Sequence, residues 1–235
     1  MSANERDPGA GTLTRWCGTY RYGCLRIGHG GASALAPANT LASFDAALSV
    51  GIDMIEFDVR RHRGELVLAH TILHARRPRN VLLHQALAHL SSRRYRDVEL
   101  NVDLKHPGCE AALLDELRGR GLLKRTLISS QVPGVVDRVR ALDTRAWVGI
   151  SMGGRIARLS HRWRDWRTRG LEGLAARRWD ALMAQHRLVD AVLLEEVTAR
   201  HGLLYAWTVN ERIAIERLLG IGVHGITTGD PRLFV

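Results

Sequence analysis

Along most of its length this chain alternates short apolar runs with amphipathic stretches. That alternation argues for repeated strand–helix units, because parallel strands need a crossover, usually helical, to rejoin the same sheet. Strands are expected at 24–28, 54–59, 98–104, 126–129, 146–151, 189–194, 203–209 and 223–227. Helices are expected near 39–50, 81–90, 109–120, 132–142, 155–185, 195–201 and 211–219. One more run, Glu65 to His70, follows the second strand through a tight turn at Arg60–Gly64 and reads as the return arm of a hairpin. Setting it aside leaves eight parallel strands, the number that closes a (β/α)8 TIM barrel with catalytic groups at the strand C-termini. No internal repeat or low-complexity linker marks a second domain, so 25–235 is read as one barrel behind a loose tail over 1–24.

Composition narrows the setting. No run of about 18 apolar residues is present, so nothing is expected to span a membrane. The polar start lacks an apolar signal core, and the expectation is a cytoplasmic protein. Cys17, Cys24 and Cys109 are scattered without metal spacing, as suits a reducing compartment. The net charge is +10, nearly all of it arginine, since Lys105 and Lys124 are the only lysines. Such a balance suits nucleic acid, anionic lipid or a phosphorylated substrate, or is plain compositional bias. No nucleic-acid-binding motif accompanies the charge, so no nucleic-acid partner is expected.

The chemistry centres on Met54–Val59. Side chains alternate along a strand, so Glu56 and Asp58 share one face of an otherwise apolar element. Two like charges buried together call for a cation between them, and a hard divalent ion with oxygen ligands answers that need. The plain alternative is two solvated residues on an edge strand. Other polar residues sit at strand ends: His29 on the first, His70 on the return arm, Asp103 and Lys105 two apart on the next, and Trp207 on the seventh barrel strand. Antiparallel pairing about a turn centred near Gly64 is expected to set His70 opposite Asp58. Each residue alone has a dull explanation. Together they suit metal-assisted phosphoryl chemistry, with carboxylates for the cation, lysine for phosphate charge and histidines for protons.

From about residue 25 to its C-terminus the chain resembles the glycerophosphodiester phosphodiesterase family, within the phospholipase C-like phosphodiesterase superfamily. Gly28-His29-Gly30-Gly31 is similar to that family's His-Arg-Gly element, Pro37-Ala38-Asn39-Thr40 to its Pro-Glu-Asn-Thr, and Glu56-Phe57-Asp58 to its Glu-x-Asp. His70 falls where the family has His-Asp, and Asp103-Leu104-Lys105 where it has Glu-x-Lys. Trp207–Asn210 and Gly225–Thr228 match its last two strands. Gly30 stands in place of the family's arginine, which removes one phosphate contact. Ala38, Thr71, His224 and Gly229 replace acidic residues, and Asp103 replaces a glutamate, as in the related sphingomyelinase D branch. The interval from His70 to Asp103 is too short for the insertion subdomain many members carry.

The resemblance implies that Glu56, Asp58 and Asp103 hold Mg²⁺ or Ca²⁺, that His29 and His70 are the catalytic acid and base, and that Lys105 and Trp207 bind substrate. The implied substrate is a small-molecule or lysolipid phosphodiester, hydrolysed to an alcohol and a phosphomonoester such as glycerol 3-phosphate. A non-catalytic member that binds phosphorylated ligands or anionic lipid is the competing reading, and the presence of both histidines argues against it. Between Arg155 and Arg187, Ile156, Leu159, Trp163 and Trp166 recur at helical spacing among Arg158, Arg162, Arg164, Arg167 and Arg169. This pattern suits peripheral contact with an anionic membrane, or a barrel helix whose aromatic stripe packs on the sheet.

Overall fold

Nine strands carry the architecture: β1 Leu25–His29, β2 Met54–His62, β3 Glu65–Leu68, β4 Glu99–Leu104, β5 Thr126–Ser130, β6 Trp147–Met152, β7 Ala181–Gln185, β8 Leu203–Trp207 and β9 Gly225–Thr228. The computed structural model describes residues 23–153 and 162–234, so the tail placed at 1–24 lies almost wholly outside the described residues. Eight strands pair in parallel around the order β1-β9-β8-β7-β6-β5-β4-β2, and β1–β2 pairing closes the ring. β3 hangs antiparallel from β2 outside the ring. The helices between them are α1 Leu41–Ser49, α2 Ile72–Ala75, α3 Leu83–Leu90, α4 Glu110–Gly119, α5 Pro133–Leu142, α6 Arg162–Ala175, α7 Ala191–Thr198 and α8 Arg212–Ile221. The chain is a closed TIM barrel.

Strand periodicity divides its core in two. Outward-facing residues such as Phe57, Val102, Ile128, Leu182 and Ile226 join helix residues including Phe44, Leu87, Leu113 and Val136 in one large cluster. Inward-facing Leu25, Ile27, Met54, Leu127, Ala181, Met183, Leu203 and Tyr205 form a second cluster. Along that inward face each strand turns polar towards its C-terminus: Ile27 gives way to His29, Met54 to Glu56 and Asp58, Leu127 to Ser129. The apolar residues plug one end. Polar groups can be kept only at the other, where the barrel opens and partners are available.

Two expectations fail. The strand placed at 189–194 is the start of α7, and the sixth parallel strand is β7, inside the span assigned to a helix over 155–185. Ala181-Leu182-Met183-Ala184-Gln185 contains only good helix formers and no β-branched residue, so propensity points the wrong way. Asp190 is an N-cap whose carboxylate accepts from the Leu193 N–H at 2.7 Å. The hairpin register is also shifted by one. Val59 pairs with Leu68 and His62 with Glu65, which sets Asp58 against Ala69. The cause is a two-residue turn, Arg63 at φ 51° and Gly64 at φ 89°, so symmetry runs between these residues and not through Gly64.

Within α6, Trp166 is half-buried against the outer cluster and Arg167 pairs with Glu196 at 2.6 Å. Residues 154–161, with Ile156 and Leu159, lie outside the described residues, as do the side chains of Arg162, Trp163 and Arg164. Among the described residues no helix is long and apolar enough to cross a membrane.

Candidate active site

Register brings the acidic residues together. β1 and β2 pair His29 with Glu56, and β2 and β4 pair Asp58 with Asp103. β2 therefore lies between two ring neighbours and is no edge strand. Glu56, Asp58 and Asp103 are 5, 3 and 8 % exposed, and an oxygen from each lies within 4.8 Å of the others. Three such charges cannot share a buried site without partners.

The loop after β1 supplies the first partners. Gly30 and Gly31 take φ of 59° and 86°, which aims the Gly30 N–H at the Glu56 carboxylate, 2.9 Å away, and the Gly31 N–H at the Glu56 carbonyl, 3.2 Å away. A Cβ on Gly31 would lie 2.5–2.6 Å from Ser43 atoms, so the turn requires glycine. Asn39, itself at φ 62°, donates from Nδ2 to Asp58 at 2.8 Å and accepts from the Asp58 N–H at 2.9 Å. The helix cap expected from Asn39 and Thr40 together falls to Thr40 alone, whose hydroxyl accepts from the Ser43 N–H at 3.2 Å.

Lys105, at the end of β4, completes the cluster. Its Nζ lies 2.5 Å from both Asp58 and Asp103. Burial would lower the ammonium's pKa, but Asp103, Asp58 and Glu56 raise it above its ordinary value. Burial, reinforced by the Asp58 charge, pushes Glu56 well above the usual carboxylate range. Asp103 is likewise raised by burial, against the opposing pull of Lys105. Asp58 goes the other way: burial raises it, yet hydrogen bonds from His70 and Lys105 hold it low. One oxygen stays unsatisfied. Asp103 Oδ1 is buried and has no hydrogen-bond partner. An all-oxygen donor set with an orphaned carboxylate oxygen fits a hard divalent cation.

The histidines flank this cluster. His70 reaches Asp58 through Nδ1 at 3.3 Å despite the shifted register, because it sits one residue past the strand pairing. The Arg60 guanidinium donates to the His70 carbonyl at 3.0 Å and steadies that position. Burial lowers the His29 pKa and favours a neutral ring, though Asp58 opposes the shift. A cavity of about 250 Å³ opens onto His29, Glu56, His70, Asp103, Lys105 and Trp207. Trp207 forms a fixed wall, its indole N–H donating to the Met183 carbonyl at 3.0 Å. Asp58 lies behind this cavity and lines a neighbouring one.

All seven residues singled out from the sequence thus meet at one rim. Sequence reading missed the cavity's neutral polar lining, Asn101, Ser129, Ser151, Thr208 and Thr227. The signal was period two: Asn101 shares the face of Asp103, and Ser129 donates to Asn101 at 2.9 Å on the adjoining strand. It missed the second-row role of Asn39 as well.

Comparison with known proteins places the chain in a family and matches its fold. Residues 29–71 and 90–233 match the model of the glycerophosphoryl diester phosphodiesterase family. The chain is 24% identical over 247 residues to glycerophosphodiester phosphodiesterase GDPD4 of Arabidopsis thaliana, covering 93% of this chain and 74% of that protein. Its fold is similar to that of a glycerophosphodiester phosphodiesterase from Parabacteroides distasonis, with TM-score 0.74, 18% identity, and 89% and 94% of the two chains covered. It is similar also to an Oleispira antarctica phosphodiesterase in complex with the product sn-glycerol-3-phosphate, with TM-score 0.66, 21% identity, and 88% and 94% covered.

Proposed function

The chain belongs to the glycerophosphoryl diester phosphodiesterase family and is a phosphoric diester hydrolase; on that premise we propose that it hydrolyses a glycerophosphodiester or lysophospholipid to an alcohol and a phosphomonoester such as glycerol 3-phosphate. The observation that carries this reading is the buried Glu56–Asp58–Asp103 cluster, with its orphaned Asp103 oxygen, between two histidines on one cavity. Bound there, Mg²⁺ or Ca²⁺ would supply Lewis-acid polarisation of a non-bridging phosphate oxygen.

The chain's own groups do the rest. Lys105 stabilises the charge that builds on the phosphoryl oxygens. His29, kept neutral by burial, accepts the proton of the substrate hydroxyl next to the phosphate, and that oxygen bonds to phosphorus. His70, oriented by Asp58 through Nδ1, gives a proton from Nε2 to the departing alcohol as its P–O bond breaks. Water then opens the cyclic phosphate with the two roles exchanged, which returns both rings to their starting forms. Trp207 closes one side of the cavity against solvent.

A panel of glycerophosphodiesters and lysophospholipids, assayed with Mg²⁺, with Ca²⁺ and with chelator, tests this reading. Release of a phosphomonoester that stops on chelation is expected. Turnover surviving exhaustive chelation would remove the metal, and absence of turnover on every diester would overturn the substrate class.

A further inference from the structure

A second cavity, of about 420 Å³, lies on the far side of His29 and His70, which line both spaces. The two differ in chemistry. Beyond Glu56, Asp103 and Lys105, the first is walled by Trp207, Met183 and neutral hydroxyl and amide groups. The second is walled by Arg77, Arg79 and His74 from the excursion between β3 and α3. Some arginines elsewhere pair with carboxylates, Arg26 with Asp53, Arg140 with Asp180 and Arg178 with Asp137. Arg77 and Arg79 are exposed and have no ion-pair partner among the described residues. The one carboxylate lining this cavity is Asp58, and its oxygens are already held by Asn39, His70 and Lys105.

The arginines also stand on a built loop. Asn80 donates through Nδ2 to the carbonyls of His74, Ala75 and Arg77 at 2.9, 2.9 and 3.1 Å. Arg79 takes a left-handed φ of 67°, and the chain then returns to β3, the Leu68 N–H donating to the Val81 carbonyl at 2.9 Å. The β1 loop contributes only small or neutral groups to this wall, among them Gly30, Ser33, Ala38 and Asn39. A phosphodiester has two alcohol arms, and a phosphate held between His29 and His70 would send one into each cavity.

We infer that the second cavity is a subsite for a negatively charged arm, so that the favoured substrates are phosphodiesters whose other alcohol bears a further phosphate or carboxylate. The inference rests on the phosphodiesterase reading above. Two guanidinium groups on a braced backbone, with no ion-pair partner among the described residues, favour an anion by charge-assisted hydrogen bonds. The ligand's source is open to either a soluble glycerophosphodiester or an anionic lysophospholipid, since the arm chemistry is shared. Ile72 and Leu73, 49 and 68 % exposed on the same excursion, make the lipid source worth separating.

The test compares three soluble diesters, glycerophosphoinositol phosphate with an anionic arm, glycerophosphoglycerol with a neutral one and glycerophosphocholine with a cationic one. Wild type should prefer the anionic arm over the neutral one by roughly tenfold or more in kcat/KM, chiefly through KM. R77A/R79A should bring that ratio towards one, and R77E/R79E should invert it in favour of the cationic arm. Inversion cannot arise from misfolding. Calorimetric binding of the same diesters reads the preference without turnover, so an inactive protein still decides the subsite while the phosphodiesterase reading fails separately. Equal handling of all three arms by active wild type overturns the subsite and leaves the activity standing. Dependence on the arginines seen only with lysolipid in phosphatidylglycerol vesicles would mean that they read a bilayer, and would likewise overturn it.

Discussion

Replacing Asp103 by Asn tests the metal cluster through stability as well as activity. Three carboxylates and one ammonium share the site, and the carboxylate oxygens approach within 4.8 Å. At an effective dielectric constant of about 20, two unit charges at that spacing repel by roughly 3.5 kcal/mol, and Lys105 can offset only one of the three carboxylates, so the cluster favours a further cation. A cation present at a hundredfold excess over its Kd should stabilise the fold by about 2.7 kcal/mol, which for a chain of this size raises Tm by roughly 5–10 °C. In the D103N protein the amide keeps the volume but removes one charged ligand. A hundredfold weaker affinity would leave about 0.4 kcal/mol, near 1 °C, at the same cation concentration. The pH dependence has a definite sign. Glu56 and Asp103 keep their protons to higher pH when folded than when unfolded. Without cation, their contribution to stability is present below the ordinary carboxylate range and is lost as pH rises through the raised folded values. The cation-induced shift should therefore grow with pH across that window. Thermal melts with Mg²⁺, Ca²⁺ and chelator at several pH values measure it. Equal shifts in wild type and D103N, or none at any pH, would refute the assignment of Asp103 as a ligand.

Asn39→Ala strips a donor from buried Asp58 and should cost about 2 kcal/mol in denaturant melts while weakening cation affinity. Gly31→Ala drives a Cβ into Ser43 at a positive φ, and should cost roughly 2–4 kcal/mol with activity falling as the Glu56 contacts shift. Trp207→Ala removes a cavity wall and should raise KM about tenfold or more with a smaller change in kcat, read from steady-state kinetics.

Most of the barrel was legible because β2 and its neighbours carry β-branched, inward–outward patterned segments between capped helices. β7 was not, since Ala181–Gln185 is buried on both faces, and a short apolar run without Val, Ile or Thr carries neither period nor propensity to mark a strand. The acidic cluster was legible from two pairs spaced by two, Glu56 with Asp58 and Asp103 with Lys105, because alternation alone puts each pair on one face. Asn39 was not, because its role depends on a left-handed backbone that folds the β1 loop over Asp58. Local sequence also could not show the Arg77 and Arg79 wall, which becomes a cavity only when the excursion packs beside His70.

In the proposed mechanism His29 and His70 exchange protons through a phosphate positioned by Lys105 and a bound cation. Turnover and substrate affinity measured for H29A, H70A and the double variant test it most directly. Each single change should lower turnover by roughly 10²–10⁴ with affinity changing far less, and the double variant should lose less than the product of the two. Full turnover in either single variant, or a loss confined to affinity, would contradict the account.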